Sequence, residues 1–382
     1  MMMTEDEYLV HLLVANSIRL NEDGYVDIRK YIKAMNMKLA FYTCGAYGLI
    51  FKMIKDDQVK FIMKIIPYYM SDQYKKAKPE DTEYKILKLL NETAKINEYV
   101  VKSYVTFVSK IKKFLKHFFE YIDNDIKNYY CNYHRYSDGI KNYHDKARII
   151  ITKYYKKGDL LKQLKYGNIT NDEIKNIIFQ VIYALAIIQQ KHKTFRHNSL
   201  KANDILLEET DNKNKYITHE IKGTKFILPN INLQIKLWDF DFSCIGGLVD
   251  NHKVDSEWAS RLGIKKNKNR YYDMYYFLNT LRVFAERLHK YKLSNDIHDF
   301  IKYVIPNKYP TNAKKCRCTH NDEFMTPLDV LINSDFFDEY RLSGDKMAII
   351  TMLAFRKRKD NIISQVPRRV LLYLLKFVNS KY

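Results

Sequence analysis

The chain has 382 residues, of which 46% are hydrophobic and 14% aromatic, and a formal net charge of +21. The hydrophobic content excludes a wholly disordered chain. The length predicts two or three domains, or one two-lobed domain with insertions. The charge favours anionic partners such as nucleotides, acidic substrates or nucleic acid, although a solvated lysine-rich surface would account for most of it.

The five cysteines are scattered along the chain. An odd and scattered set argues against a disulfide framework and for a reducing compartment. The first residues include Glu5, Asp6 and Glu7, where a secretion signal would need basic residues. No apolar run approaches the ~18 residues needed to span a bilayer. We therefore expect an intracellular, cytoplasmic protein without a transmembrane segment.

The N-terminal third combines strand and helix patterns. Residues 1–38 have weak helical periodicity and are interpreted as a leader packed on the first lobe. Residues 39–66 predict strands joined by a glycine turn and by a polar turn. Residues 79–94 predict a helix with an apolar stripe, and residues 99–108 predict a further strand.

Residues 109–147 interrupt this rhythm and are interpreted as an insertion. They interleave lysines with phenylalanines and tyrosines. Such a pattern can bind nucleic acid through phosphate contacts and base stacking. It is also typical of an amphipathic helix followed by a surface loop, and no nucleic-acid-binding motif accompanies it. Nucleic acid therefore stays an alternative partner.

The rest of the chain predicts a mainly helical region. A buried strand at 148–152 is followed by helices at 158–164 and 171–192. Residues 208–231 predict a polar turn or hairpin, residues 233–237 a strand, and residues from 271 onward mostly helix. We therefore divide the chain into the leader, a β-rich lobe at 39–152 and a helical lobe at 153–382.

The segment from His197 to Leu207 carries the most specific motif, R-H-N-S-L-K-A-N-D-I-L-L when Arg196 is included. It resembles the catalytic loop of eukaryotic-type protein kinases, H-R-D-L-K-x-x-N-I-L-L. The resemblance implies that Lys201 stabilises the transferring phosphoryl group. Ser199 stands where that family has its catalytic Asp, and Asp204 where it has a metal-binding Asn.

Upstream motifs fall in the order that this resemblance requires. Gly45, Gly48 and Ile50 resemble the second half of the glycine-rich loop that covers nucleotide phosphates. Lys64 resembles the lysine that contacts the α- and β-phosphates, and Glu83 the helix glutamate that pairs with it. Each match alone is weak, but their order and spacing make coincidence a poor explanation.

Further positions complete the resemblance. Thr152 falls at the gatekeeper position and Tyr154 in the hinge that would hold adenine. Asp239 begins a D-F-G-like segment and would ligate the metal, with Asp241 in place of the glycine. Asp273 resembles the helix residue that anchors the catalytic loop.

Over residues 39–300 the chain resembles divergent serine/threonine kinases of large DNA viruses, including the poxvirus late kinases. The resemblance implies an α+β, bilobal fold with a small β-rich N-lobe and a mostly helical C-lobe. It also implies ATP and Mg²⁺ (or Mn²⁺) as cofactors and a protein as substrate. For a viral protein, the host-cell cytoplasm or the virion would be the location.

Ser199 leaves the activity open, because a neutral hydroxyl is not a general base near neutral pH. Loss of a positioned base costs about 10²- to 10⁴-fold in rate, or roughly 3–5 kcal/mol. The alternatives are a slow kinase and a nucleotide-binding pseudokinase that acts as a scaffold or regulates a protein partner. A small-molecule kinase and a basic nucleic-acid-binding protein are more distant.

Overall fold

The computed structural model describes residues 5–22, 24–44, 48–69, 81–110, 114, 143–255, 259, 270–287, 291–305 and 325–342. Its N-terminal region is rich in β-strands and its C-terminal region is helical. This arrangement is compatible with a bilobal kinase-like fold, so the predicted α+β fold class is confirmed. By its contacts the chain forms a larger unit, residues 1–213 and 230–336, and a smaller unit, residues 214–229 and 337–382.

Two helices open the larger unit. The elements are α1 (Glu5–Arg19), β1 (Asn21–Glu22), β2 (Tyr25–Val26) and α2 (Ile28–Ala34). The carboxylate of Asp27 caps α2 by accepting two backbone N–H groups of its first turn. The Tyr31 hydroxyl donates to the Leu13 carbonyl at 2.9 Å, and the Tyr31 ring lies 4.8 Å from that of Phe107. Both helices therefore share one hydrophobic core with the sheet that follows.

That sheet has five antiparallel strands. They are β3 (Lys38–Cys44), β4 (Leu49–Lys55), β5 (Gln58–Tyr69), β6 (Ser103–Ser109) and β7 (Tyr143–Lys153). Their spatial order is β3–β4–β5–β7–β6. In the central strand β5, Lys64 lies opposite Ile50 of β4 and Ile150 of β7. The backbone of Lys64 is therefore paired with a strand on each side, which fixes where its side chain begins.

Helix α3 (Thr82–Asn91) follows β5 and presents Ile86, Leu87 and Leu90 to the interior. These residues repeat at helical spacing, so one face is apolar and the other is solvated. The helix ends at Asn91, before the predicted end at 94, and β6 begins at Ser103, later than the predicted 99. Glu83 lies in the first turn of α3 and is buried.

The C-terminal part of the larger unit is helical. Its described helices are α4 (Leu160–Tyr166), α5 (Asn171–Lys191), α6 (Tyr272–Arg287), α7 (Asn295–Val304) and α8 (Pro327–Asn333). Thr170 and Glu173 form a capping box that satisfies the first backbone N–H groups of α5. Of the helices that the structure describes, none is long and apolar enough to cross a membrane.

Two short strand pairs hold the segments that carry the kinase-like motifs. β8 (Phe195–Arg196) pairs with β13 (Cys244–Ile245), and β9 (Ile205–Glu209) pairs with β12 (Leu233–Leu237). The buried Gln180 of α5 donates to the Leu233 carbonyl and accepts from the Ile235 N–H, each at 3.0 Å. Residues 197–204 and 238–243 are therefore fixed at both ends and lie side by side.

The smaller unit contains a hairpin within the predicted 208–231 insertion. Its strands are β10 (Tyr216–Ile221) and β11 (Thr224–Pro229), paired antiparallel. Gly223 has a φ of +77° in the connecting turn, which glycine adopts without steric cost. The Ile227 N–H donates to the Tyr340 carbonyl at 2.7 Å, so a later segment extends the hairpin.

Candidate active site

A buried ammonium lies at the centre of the candidate site. Lys64 is 2% exposed, and its Nζ donates to Glu83 Oε2 at 2.7 Å and to Asp239 Oδ1 at 2.9 Å. Asp241 Oδ2 is 3.5 Å away. Burial by itself lowers the pKa of Lys64, but the three carboxylates reverse this and raise its pKa well above the usual value. Lys64 therefore stays charged.

Glu83 reaches this ammonium from α3. Burial raises the pKa of Glu83 to about 8; Lys64 acts in the opposite direction, while Asp241 and Asp239 raise it further. Its Oε1 is buried and has no hydrogen-bond partner among the described residues. Three carboxylates thus compete for one lysine, and Glu83 is the one that burial drives towards its protonated form.

Asp239 links the ammonium to solvent. Its backbone is left-handed, with φ 63° and ψ 62°, a conformation that costs a non-glycine residue free energy. Its side chain is 34% exposed, whereas those of Lys64 and Glu83 are almost fully buried. Asp239 is therefore the member of this group that a ligand can reach.

Asp241 lies between Lys64 and a second lysine, Lys253, with one carboxylate oxygen towards each. Lys253 Nζ lies 3.4 Å from Asp241 Oδ1, and both side chains are buried. Burial raises the pKa of Asp241, but Lys253 and then Lys64 outweigh it and hold its pKa well below the usual range. Asn251 Nδ2 adds a bond of 2.8 Å to the Asp241 carbonyl. The segment after Asp239 is thereby fixed by charge and by a backbone contact.

The segment from His197 to Asp204 lies against this group. The Asp273 carboxylate accepts the backbone N–H groups of His197 and Asn198, each at 2.7 Å. Asn198 has a φ of 66°, and its Nδ2 donates to the Phe242 carbonyl at 2.9 Å. Asn198 stands where kinases have an arginine, and its side-chain amide binds the backbone of the neighbouring segment directly.

Ser199 faces inward more than outward. Its side-chain Oγ lies 3.3 Å from His197 Nδ1, and the residue is 7% exposed. Asp204 is 2% exposed and accepts the Lys201 N–H at 3.1 Å, with Lys201 Nζ at 3.7 Å. Burial raises the pKa of Asp204 well above its usual value, because Lys201 compensates only in part.

A cleft of about 470 Å³ opens beside these residues. Five residues predicted to bind nucleotide or metal line it: Ile50, Thr152, Tyr154, Asp204 and Asp239. Lys64 and Glu83 lie behind Asp239, and Gly45 lies outside the described residues. Gly48 is buried with its Cα close to the β5 backbone, because an added Cβ would lie 2.9 Å from the Ile65 carbonyl oxygen.

Sequence reasoning missed several residues that the structure places at the site. Tyr42, Ile62, Leu206 and Trp238 also line the cleft. Aromatic and aliphatic groups of this kind suit a flat, apolar ligand part such as a nucleobase. Trp238 could have been found from its position before Asp239. Lys253 offered no signal, because an isolated lysine in a polar segment is usually solvated.

The comparison with known proteins agrees with this geometry. The family model described as "Poxvirus serine/threonine protein kinase" matches residues 2–341. The chain belongs to this family. A protein of Acanthamoeba polyphaga mimivirus is 33% identical over 83% of this chain and 72% of its own length. Another from the same virus is 28% identical over 35% of this chain and 36% of its own length. Both carry the name "Putative serine/threonine-protein kinase". The predicted resemblance is thus confirmed, and the chain is a serine/threonine kinase-like protein.

The donor set suits the cofactors that the kinase family generally uses. Asp204 and Asp239 offer hard carboxylate oxygens at the cleft wall, which is the ligand type that Mg²⁺ prefers. The carboxylates of Glu83, Asp239 and Asp241 also lie close together, with ligand atoms within 4.8 Å. Lys64 already lies among these three as their counter-charge. A metal ion therefore fits better on the open side of Asp239, towards Asp204.

Proposed function

We propose that the protein binds ATP with Mg²⁺ (or Mn²⁺) in this cleft and transfers the γ-phosphate to serine or threonine hydroxyls of a protein substrate. The observation that carries the proposal is the Lys64 ammonium, held within 2.9 Å of Glu83 and of Asp239, which lines the cleft. Two strong charge-assisted bonds hold a positive charge where polyphosphate oxygens would need it. We infer that the cleft lies between a lobe of residues 39–152 and a lobe that begins at 153.

Each site residue then has a role in the proposed reaction. Ile50, Thr152 and Tyr154 would enclose the nucleobase, with Gly45 and Gly48 near the phosphates. Lys64 would bind phosphate oxygens, and Glu83 would orient Lys64. Asp204 and Asp239 would hold the metal ion, which when bound neutralises phosphate charge. Lys201 would stabilise the transferring group, and Ser199 would contact the substrate hydroxyl.

The nucleotide-binding part of the proposal can be tested by thermal shift. ATP with Mg²⁺ should raise the melting temperature, because a ligand that binds only the folded state stabilises it. Lys64→Met should remove most of this shift. Lys60→Met is the matched control, since it removes a lysine of the same strand four positions before Lys64, and it should keep the shift. A wild-type protein that shows no shift would refute ATP binding.

Ser199 favours a second candidate function, a nucleotide-binding pseudokinase that regulates a protein partner. The two candidates differ in phosphoryl transfer to a basic protein such as histone. Wild type, Lys64→Met and Ser199→Asp are compared, and phosphoserine and phosphothreonine are measured by mass spectrometry. Wild-type transfer above the Lys64→Met level supports the kinase. Transfer by Ser199→Asp alone supports the pseudokinase, because only the restored carboxylate then supplies the base.

A further inference from the structure

The hydrogen bonds of His197 fix which of its ring nitrogens carries a proton. Its Nε2 lies 2.9 Å from the Trp238 carbonyl oxygen. A carbonyl oxygen only accepts, so Nε2 must carry hydrogen and donate. Burial lowers the pKa of His197, which favours the neutral ring. In the neutral ring Nδ1 then has a lone pair, and the Ser199 hydroxyl, 3.3 Å away, is the donor to it.

This hydrogen bond fixes the direction in which the Ser199 O–H group points. With its hydrogen directed at His197, the lone pairs of Ser199 Oγ are left for another donor. His197 is fully buried, whereas Ser199 keeps 7% of its surface exposed. A substrate hydroxyl can therefore contact Ser199 and cannot contact His197.

We propose that Ser199 and His197 together replace the missing catalytic aspartate, with Ser199 as the catalytic residue and His197 as the positioning residue that accepts its proton. This inference rests on the proposed kinase function. The substrate hydroxyl donates to Ser199 Oγ while its oxygen forms a bond to the γ-phosphorus. The bond from that phosphorus to the β,γ-bridging oxygen breaks, and its electron pair leaves with ADP. The substrate proton passes to Ser199 Oγ, and the Ser199 proton passes to His197 Nδ1. After product release the reverse transfer returns one proton to water.

The charges around His197 bear on the cost of this step. An imidazolium at a fully buried position is unfavourable. The carboxylates of Asp273 and Asp239 act against this cost by raising the pKa of His197, while Lys201 opposes them. Phosphoryl transfer has a loose transition state in which positioning and charge stabilisation dominate. A weak base such as His197, which accepts the proton after most of the phosphoryl transfer has occurred, is therefore sufficient for a slow kinase.

A double-mutant cycle in two backgrounds tests the pair. His197→Phe keeps a ring beside Phe240, which is 5.0 Å away, and removes the acceptor. With Ser199 present, we expect His197→Phe and Ser199→Ala each to lower kcat by about 10²-fold, with no further loss in the double variant. In Ser199→Asp, which supplies its own base, His197→Phe should lower kcat by less than about 3-fold, the part unrelated to the base. KM for ATP should stay the same throughout.

Equal losses from His197→Phe in both backgrounds would overturn the inference, because His197 would then act only through structure. Should His197→Phe fail to fold, His197→Gln takes its place, since its amide can keep the hydrogen bonds to Trp238 and Ser199 but is not a base and cannot take up the Ser199 proton. Solvent isotope mixtures in single-turnover reactions of the wild type give an independent result. A curved proton inventory, from two protons in motion, supports the relay, and a linear one overturns it. Wild-type transfer no higher than that of Lys64→Met would refute the kinase proposal itself, which separates the two failures.

Discussion

The buried pair of Asp241 and Lys253 offers a quantitative test of what holds the segment after Asp239. The two charged atoms are 3.4 Å apart, and each residue is at most 9% exposed. At an effective dielectric constant of about 20 their attraction is about 5 kcal/mol. Removing one partner of a buried pair costs about 3–5 kcal/mol, because the other charge is left buried. Lys64, at 3.5 Å from Asp241, compensates in part. We therefore expect Lys253→Met to lower the free energy of unfolding by about 3 kcal/mol.

The assay is urea unfolding followed by tryptophan fluorescence, because Trp238 lies next to Asp239. Asp241→Gly restores the glycine of the kinase motif and removes the stranded charge. The double variant should therefore be about 1–2 kcal/mol more stable than Lys253→Met alone. Lys302→Met is the control; its pair with Asp299 is exposed, and we expect a change below about 0.5 kcal/mol. A Lys253→Met protein within about 0.5 kcal/mol of wild type would refute this account of the pair.

Three further predictions concern other parts of the molecule. Asp273→Asn should lower the free energy of unfolding by about 2–4 kcal/mol and slow phosphoryl transfer, because one of two buried N–H groups would face an amide NH₂. Gly48→Ala should cost about 1–3 kcal/mol, measured by urea unfolding, since the new methyl group would contact the Ile65 carbonyl oxygen. Burial lowers the pKa of His219 from 6.5 to about 4, so the folded hairpin binds fewer protons than the unfolded chain. The hairpin should therefore have its full stability above pH 6.5 and lose stability as the pH falls towards 4. Hydrogen exchange of the β10 amides measures this loss.

Each of these predictions has its own control. Asp273→Glu keeps the charge, and an equal loss in that variant would show that placement rather than charge is decisive. Gly223→Ala is the contrasting variant: an added Cβ there has nothing within 4 Å, so its loss would come from the φ of +77° and not from crowding. His219→Phe cannot titrate, so a hairpin that opens with the same pH dependence in that variant would exclude His219 as the cause.

The framework of the site could be predicted from the sequence because several signals, each weak by itself, occur in the order and spacing of the kinase motifs. Lys64 stands in an apolar strand and Glu83 in an amphipathic helix, and a charged residue in such a setting is visible without a structure. Asp239 follows the strand Leu233–Leu237 after one intervening residue, Trp238. The order of these signals along the chain was enough to predict that they would meet, and the structure brings them within 2.9 Å of one ammonium.

Other features could not be predicted, for physical reasons that differ. The leader was predicted to pack on the first lobe, but its weak periodicity did not indicate which of its residues enter the core of the sheet, such as Tyr31 beside Phe107. Lys253 lies 12 positions after Asp241 in a segment without regular pattern, and nothing local indicates that it is buried. The bond between Ser199 and His197 depends on a side-chain rotamer. Rotamers are set by packing and are not encoded by spacing.

The anchored Asp241 also bears on which compounds could occupy this protein. Phe240 is fully buried between Asp239 and Asp241 in the sequence, with its ring 5.0 Å from that of His197. A compound that needs the space filled by the Phe240 ring has to displace Phe240, and because Asp241 is the next residue, we expect this to separate Asp241 from Lys253 at a cost of about 3–5 kcal/mol. That cost lowers its apparent affinity by about 10²- to 10⁴-fold. Compounds that leave Phe240 in place and fill the cleft beside Trp238 avoid this cost. Such compounds are the better starting point for selective ligands.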